Sequence, residues 1–522
     1  MDPIVTTLII LLCAVIAFVS NRIPLGVVAV GVSVALYLFG VLDLHSALAG
    51  FGNPTVLFIA ALFVVSEALE STGIVAWAGQ EVIERTGTNR RRLLITIGLL
   101  TAVLTAVISV NGAVAALLPL VVVVAARAGI APSQMLMPLA FSAHAGSMLA
   151  LTGTPVNIIV SEVSADNGGR AFGFFEFALV GLPLVVGTLA IILLFGSRLL
   201  PSRAAASAPV DLEKLARTLR ADYEITTDRP LMSAARGVAE VVVPPRSSLI
   251  GLHVFAGMCT PSGDLVVLGV RRGGEPLASA GDRLRAGDAL LLDGSWDDLQ
   301  RHTAQRDEVL VVDAPLTLRR SVPLGAGAKR TSVIVLAMIV LLATGIVPAA
   351  IAGLLAAGAL ILTGVVPIAR AYRAISWTTV ILVAGMIPLS TAFQETGAAT
   401  LIAETLRTWL GDTGPQAAVA VIVLITLVLG QLISNTATVL IVAPVAVALA
   451  SAMDASVLPF LMALTVAGAA AFLTPVATPA NLLVMEPGGY RFGDYARLGL
   501  PLMLLFFAVA VFYVPLIWPF SG

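Results

Sequence analysis

The chain has 522 residues, 58% of them hydrophobic and 12% charged, with a mean hydropathy of +1.00 and a formal net charge of -1. Soluble domains carry about 25% charged residues, so this is the composition of a membrane protein, and it excludes secreted disulfide scaffolds, collagen-like or disordered chains and nucleic-acid binders. With so small a net charge there is no long-range field to recruit a strongly basic or acidic partner, and partners must be read from sites.

The first apolar segment runs from Pro3 to about Ser20 with no basic run before it and no A-x-A cleavage site after it. It is expected to stay in the membrane. Cys13 lies in this segment and Cys259 far along the chain in a polar region; both read as reduced, structural thiols that do not meet. A bilayer-crossing helix needs roughly 20 mostly apolar residues, and further stretches of that kind fall at 23–42, 54–75, 134–162 and 176–199. Glu67 and Glu70 sit toward one end of the third span, where a charged head reaches water cheaply, and read as structural. The stretch 93–126 is too long for one helix and carries Ser109, Val110, Asn111 and Gly112 at its middle. That pattern predicts a re-entrant hairpin of two half-length helices. Pro183 reads as a kink or a helix start.

Residues 201–330 then hold 33 of the 61 Asp, Glu, Lys and Arg, leaving 28 for the other 392 positions. The expected domains are therefore a membrane repeat at 1–200, a soluble insert at 201–326 with its core at about 237–312, and a second membrane repeat at 327–522. Inside the insert, Val238–Val243, Asp264–Val270 and Asp288–Leu292 are β-type runs between Gly, Pro and Ser turns, which predicts a small α+β module. A strand, Ser248-Leu-Ile-Gly251, a strand ending in Arg271-Arg272, and the pairs Gly281-Asp282 and Gly287-Asp288 resemble the C-terminal domain of TrkA-type potassium-transport regulators over about 75 residues. The resemblance implies a dimerisation or small-molecule regulatory module.

After the insert the series recurs, with spans at 331–349, 350–368, 377–396, 456–485 and 495–517 and a long stretch at 416–452 broken at Ser434, Asn435 and Thr436. Thr72-Gly73 matches Thr396-Gly397, Asn111 matches Asn435, and Gly153-Thr-Pro-Val-Asn157 matches Ala477-Thr-Pro-Ala-Asn481, all 324 residues apart; Gly181-Leu-Pro183 and Gly499-Leu-Pro501 correspond at 318. Each repeat thus has five spans and a hairpin. An odd number of spans makes the second copy enter from the opposite side, so the expected fold is an all-α membrane protein of two inverted repeats with a small α+β insert. With the N-terminus outside, Arg22, Arg85, Arg90, Arg91, Arg92, Arg127, Arg198, Lys329, Arg330, Arg370, Arg373, Arg491 and Arg497 fall inside, against Arg170 and Arg407 outside. This bias predicts a cytoplasmic insert.

A helix broken inside a bilayer is tolerated where its freed backbone lines a cavity or coordinates something. Four breaks are expected: the two hairpin tips and the interruptions from Gly146-Ser147 to Pro155 and from Thr474-Pro475 to Pro479. Residues 93–126, 128–161, 413–453 and 455–485 contain no Asp, Glu, Lys or Arg. Helix N-termini hold anions, and backbone carbonyls with Asn, Ser and Thr oxygens hold a hard monovalent cation. An anion carried with sodium, by a protein with no other cofactor, is the natural reading.

Ser434-Asn-Thr-Ala-Thr438 with Pro444, Thr474-Pro-Val-Ala-Thr-Pro-Ala-Asn481, Gly153–Asn157 and Pro487-Gly-Gly-Tyr-Arg-Phe492 resemble the divalent anion:sodium symporter family of the ion transporter superfamily. The resemblance covers both membrane blocks and implies an elevator mechanism, a homodimer and a small anionic substrate such as sulfate or a dicarboxylate. It implies that Ser434, Asn435 and Thr436 contact substrate, that Asn435 and the backbone near Leu473 form one sodium site, and that Thr474 and Pro475 line the pocket. In the first repeat Ser109, Asn111 and Gly146 take the matching cation roles, and Asn111 and Gly112 the substrate contact. That repeat departs from the family's Ser-Asn-Thr, having Ser109-Val110-Asn111-Gly112, and has Ser147 where a second Gly is usual.

For Asn111 and Asn435 the bland alternative is interhelical hydrogen bonding. His144 is either a proton carrier or a packing residue. A proton-coupled citrate or arsenite-type permease is the rival transporter. A potassium channel would need a TVGYG-type filter, and an intramembrane enzyme an HExxH, GxSxG or paired aspartates, none of which occurs.

Overall fold

The computed structural model describes residues 2–20, 22–84, 86–87, 89–203, 212–223, 225, 231–232, 236–260, 263–277, 282–303, 309–311, 327–410 and 413–521. Arg85 and Gly281, and the insert limit at 326, lie outside the described residues.

The first repeat runs α1 (Pro3–Ser20), α2 (Leu25–Leu38), α3 (Leu44–Leu48), α4 (Pro54–Ser71), α5 (Ile74–Glu84), α6 (Arg90–Thr105), α7 (Val110–Arg127), α8 (Leu136–Gly146), α9 (Pro155–Asp166) and α10 (Ala178–Leu199). Side-chain caps start several of these helices. Asp43 accepts from the Ser46 N–H before α3, Asn89 from the Arg91 and Arg92 N–H groups before α6, and Thr154 from the Val156 N–H before α9. The insert adds α11 (Leu212–Asp222), β1 (Arg236–Val242), β2 (Val266–Arg272), β3 (Glu275–Pro276), β4 (Ala289–Ser295), α12 (Trp296–Thr303) and β5 (Leu310–Val311). The second repeat runs α13 (Ala328–Thr344), α14 (Ala349–Leu362), α15 (Ile368–Ala374), α16 (Trp377–Thr396), α17 (Ala398–Leu410), α18 (Pro415–Leu429), α19 (Asn435–Ala452), α20 (Val457–Gly468), α21 (Pro479–Met485) and α22 (Asp494–Ala508), which continues through a π-turn into α23 (Val514–Ile517).

Helices occupy each of the apolar runs, and α8–α9 and α20–α21 are the two interrupted pairs; the hairpin arms α6, α7, α18 and α19 are 15 to 18 residues long, longer than the half-length helices expected. Among the described residues, seven helical segments are long and apolar enough to cross a membrane, with four shorter apolar helices beside them. The short helices α3, α5, α15 and α17 were not expected. They are five to thirteen residues long, too short for a search based on bilayer thickness. The second interruption also opens earlier than its Thr-Pro marker, at Ala469 rather than Thr474.

Helix starts confirm the duplication: Leu25 and Ala349, Leu44 and Ile368, Ile74 and Ala398, and Pro155 and Pro479 are each 324 apart. The hairpins differ. Ser109 and Ser434 cap α7 and α19, Pro119 and Pro444 lie inside these helices, and Thr101 and Thr426 donate to the carbonyls four residues back at 2.6 and 2.7 Å, all 325 apart. The match of Asn111 with Asn435 is therefore corrected by one residue: Val110 stands where Asn435 does, and Asn111 where Thr436 does. One residue is gained before the second hairpin and lost after it, so landmarks on either side kept the 324 spacing and hid the shift.

The chain packs as two compact units, Met1–Ala68 with Val82–Ser207 and Ser332–Gly522, and Leu69–Glu81 with Ala208–Thr331. In the first unit, α2 lies against α16 so closely that a Cβ on Gly385 would meet the Ala29 backbone, and Ser33 Oγ donates to Gly385 O at 2.9 Å. Glu67, read as structural, lies 4.0 Å from Arg370. Phe141, Phe472 and Phe506 stack edge-to-face with centroids 5.0 and 4.9 Å apart and join α8 to α22. Pro183 and Pro501 sit inside α10 and α22.

In the second unit the sheet has the order β3-β2-β4-β1-β5 with antiparallel pairs throughout. One face buries Ala239, Val241, Val267, Leu290 and Leu292 with Trp296 and Leu299, and the other buries Val238 and Leu291 with Leu219 and Tyr223. The expected α+β module is thus built on a sheet covered on both sides. Arg272 donates twice to the buried Asp288, at 2.8 and 2.8 Å, tying the end of β2 to the start of β4.

Burial works to raise the Asp288 carboxyl, but the hydrogen bonds from Arg272 and the Arg285 N–H outweigh it and hold the group below the usual range. A depressed carboxyl contributes stability that is complete above about pH 4 and is lost as pH falls through its lower folded value. Asp288→Asn is expected to reduce hydrogen-exchange protection of β2 and β4 roughly tenfold at neutral pH and to flatten its loss in acid. Unchanged protection at pH 7 would remove this role.

Candidate functional site

The four broken segments all lie in the first unit, and in each repeat the hairpin tip is bonded to the unwound stretch. In the second repeat the chain leaves α18 at Leu429 and turns through Gly430–Ile433; Ser434 Oγ then accepts the Ala437 N–H at 3.3 Å and Asn435 opens α19. Between α20 and α21 the backbone is unwound from Ala469 to Thr478. Gln431 fastens this stretch to the hairpin tip, because its Nε2 donates to Ala470 O at 3.1 Å and its Oε1 accepts the Leu473 N–H at 3.0 Å. Asn481, one helical turn into α21, donates from Nδ2 to Ala471 O at 2.8 Å and to Thr474 O at 3.1 Å. Three of the carbonyls freed by the break, at Ala470, Ala471 and Thr474, are thereby held without a charged group.

The first repeat uses the same clamp. Asn157 Nδ2 donates to Ser147 O at 3.0 Å and Ala150 O at 2.8 Å, the residues 324 before those held by Asn481. Here the tie to the hairpin runs the other way, from Thr152 Oγ1 to Ala106 O at 2.8 Å. Glycines let neighbours approach these strands: a Cβ on Gly181 would overlap Met148 O, one on Gly499 would overlap Phe472 O, and one on Gly153 would overlap Ser147 O.

Of the expected site residues, Asn435 and Thr474 carry the clearest signal. Asn435 Oδ1 and Thr474 Oγ1 are shielded from solvent and have no hydrogen-bond partner, a costly state that a bound ion or substrate relieves. Ser434 is the helix cap, Thr436 is half-buried, and Leu473 and Pro475 lie in the unwound stretch beside them. In the first repeat Ser109 is likewise a cap, its Oγ accepting the Gly112 N–H at 3.1 Å, whereas Asn111 is exposed on the first turn of α7. Gly146 is explained by packing, because a Cβ there would collide with Ala102 and the Thr105 hydroxyl of α6.

His144 is buried in α8, 3.2 Å through Nε2 from Thr478 Oγ1, beside Asn481 and with its ring edge-on to Phe472. It therefore bridges the repeats rather than standing alone. A cavity of about 30 Å³ lies at the first tip against Ser66, Ser109, Thr152 and Gly153. A crevice of about 120 Å³ separates α9 and α19 from α4 and α16. Two hydrogen bonds link its walls or rim: Asn53 Nδ2 to Glu162 Oε1 at 2.9 Å, and Gln394 Nε2 to Asn167 Oδ1 at 2.7 Å.

The residues missed from sequence are Asn157, Asn481, Gln431 and Thr152. The repeat spacing had singled out both asparagines as landmarks, and that was a usable signal. Gln431 gave none, because its counterpart is Ala106. Replacing Asn157 or Asn481 by Ala leaves two carbonyls unheld and is expected to cost about 2–3 kcal/mol in unfolding measurements in detergent. Asn→Asp, which has no donor when ionised and only one when protonated, cannot hold both carbonyls and should also be destabilised; full stability of either variant would contradict the clamp.

The chain is similar to known transporters. The family model described as citrate transporter, CitMHS, matches residues 15–467 and 418–521. An uncharacterized transporter of Escherichia coli K12, YfbS, is 28% identical over 99% of this chain and 99% of its own length. Sodium/sulfate cotransporter 1 of Chlamydomonas reinhardtii is 28% identical over 44% of this chain and 26% of its own length. The crystal structure of the Alcanivorax borkumensis YdaH transporter superimposes with a TM-score of 0.52 over 100% of both chains at 13% identity, a likeness of fold. These matches bear out the transporter resemblance carried by the hairpin motifs and mark a multi-pass membrane transporter rather than an enzyme. The chain belongs to the citrate transporter family, CitMHS.

Proposed function

We propose that the protein is a secondary active transporter that carries a small divalent oxyanion, of the sulfate or dicarboxylate class, in symport with sodium. The observation that carries this reading is the pair of unpartnered oxygens, Asn435 Oδ1 and Thr474 Oγ1, in segments without a formal charge. Neutral oxygens and unwound carbonyls suit a hard monovalent cation, and the N-terminal ends of α7 and α19 suit an anion. The relative named as a sodium/sulfate cotransporter supports the same pairing. In this reading the N-terminus is outside, the insert is cytoplasmic, and the insert serves as a TrkA-C-like module for dimerisation or regulation at the cell membrane.

Proton-coupled transport of citrate is the second reading, favoured by the family description and by His144, the one titratable side chain in the four uncharged segments and a neighbour of the Thr478 cap. A radiolabelled uptake panel of sulfate, succinate, citrate and phosphate in proteoliposomes decides between them. Uptake should rise with external sodium at fixed pH and fall by two orders of magnitude or more, about 3 kcal/mol, in a folded Asn435→Ala variant. Loss of uptake in His144→Gln together with indifference to replacing sodium by choline would establish the proton-coupled reading instead.

Transport by an elevator requires α9 and α19 to slide past α4 and α16, and the Asn53–Glu162 and Gln394–Asn167 hydrogen bonds must then part. Cross-linking Asn53→Cys to Glu162→Cys is expected to arrest uptake, with recovery on reduction. Full transport by the cross-linked protein would rule the sliding motion out.

A further inference from the structure

The two repeats share a backbone but not its side-chain oxygens, and the difference is concentrated at the breaks. With the hairpins in register at 325 and the unwound stretches at 324, Asn435 corresponds to Val110 and Thr474 to Ala150. The second pair is fixed independently of the first, because Asn157 holds Ala150 O as Asn481 holds Thr474 O. Two of the unpartnered, solvent-shielded oxygens of the second repeat, Asn435 Oδ1 and Thr474 Oγ1, are thus replaced by apolar side chains in the first.

The other polar groups at the breaks of the first repeat do not make up the loss. Ser109 Oγ accepts the Gly112 N–H, Thr152 Oγ1 donates to Ala106 O, and Ser147 Oγ donates to His144 O at 2.8 Å. Asn111, on the position of Thr436, is exposed. Ser142 Oγ is buried without a partner, but it faces Gly98 in the middle of α6, away from the tip. Asn157 Oδ1 and Asn481 Oδ1 are present in both halves and do not distinguish them.

We infer that the coupling-cation site lies in the second repeat only, built on Asn435 and Thr474, and that the first repeat has no equivalent, so that one sodium ion binds per chain. This rests on the sodium-coupled reading above. Unwound carbonyls and helix C-terminal ends are available on both sides, and the side-chain oxygens decide. A monovalent cation that has shed its water needs neutral oxygens to replace it, and Val110 and Ala150 supply none.

The test is direct binding of radiolabelled sodium to the purified full-length protein, followed in parallel by the sodium dependence of thermal unfolding. Wild type should saturate at one ion per chain with a Hill coefficient near one. Asn435→Ala or Thr474→Ala should weaken sodium binding about tenfold or more, whereas Val110→Ala should leave it within about twofold. Val110→Asn combined with Ala150→Thr should raise the stoichiometry toward two. Two ions per wild-type chain, or equal losses from Val110→Ala and Asn435→Ala, would overturn the inference and leave sodium coupling intact. Failure of wild type to bind any sodium, with uptake unaffected by choline, would overturn the coupling itself.

Discussion

The interaction on which the rest depends is the double hydrogen bond from one buried asparagine to two carbonyls of an unwound strand. Hydrocarbon offers no partner to a freed backbone group, so a transmembrane helix can be interrupted only if the protein satisfies the gap itself. Asn157 and Asn481 do so with neutral donors. A lysine or arginine could hold the same carbonyls, but it would bring a buried charge that needs a partner of its own. The asparagine clamp therefore satisfies the break without adding a formal charge to it.

Everything around the clamp is arranged to let it work at short range. The glycines at 181 and 499 bring α10 and α22 directly onto the carbonyls at 148 and 472. Tyr495 donates to Asn481 O at 2.6 Å, and Tyr490 accepts the Met137 N–H at 2.8 Å while donating to Ser133 O at 2.6 Å. These bonds and the Phe141, Phe472 and Phe506 stack bind the second repeat's broken helix to the first repeat's α8. Across the crevice that separates α9 and α19 from α4 and α16, by contrast, the polar links are the side-chain hydrogen bonds Asn53–Glu162 and Gln394–Asn167.

Duplication gave the protein two similar cradles, and substitution has since made them unequal. The ties to the hairpins illustrate this. In one half a Gln on the tip reaches the unwound strand, and in the other a Thr on the strand reaches the tip. Each satisfies the same geometric need, but only the second half has unpartnered side-chain oxygens at the positions of Asn435 and Thr474. His144 adds a further asymmetry, because the position 324 later is Gly468 and no imidazole answers it.

The sequence by itself determined the membrane class, the duplication, the placement of the long helices and hairpins, and the absence of charge from the four broken segments. These follow from hydrophobic thickness, from Gly and Pro interruptions and from constant spacing, all of which are local along the chain. The strands of the insert were legible for the same reason, through their alternation and turns. Only the tertiary structure decided the one-residue register of the hairpins, because two compensating shifts leave every flanking landmark in place. It alone showed that Asn111 is exposed while Asn435 and Thr474 hold unpaired oxygens, that Gly146 serves packing, and that Gln431 and His144 join elements distant in sequence. Hydrogen bonds between such elements depend on where the backbone brings them, and no spacing along the chain records that.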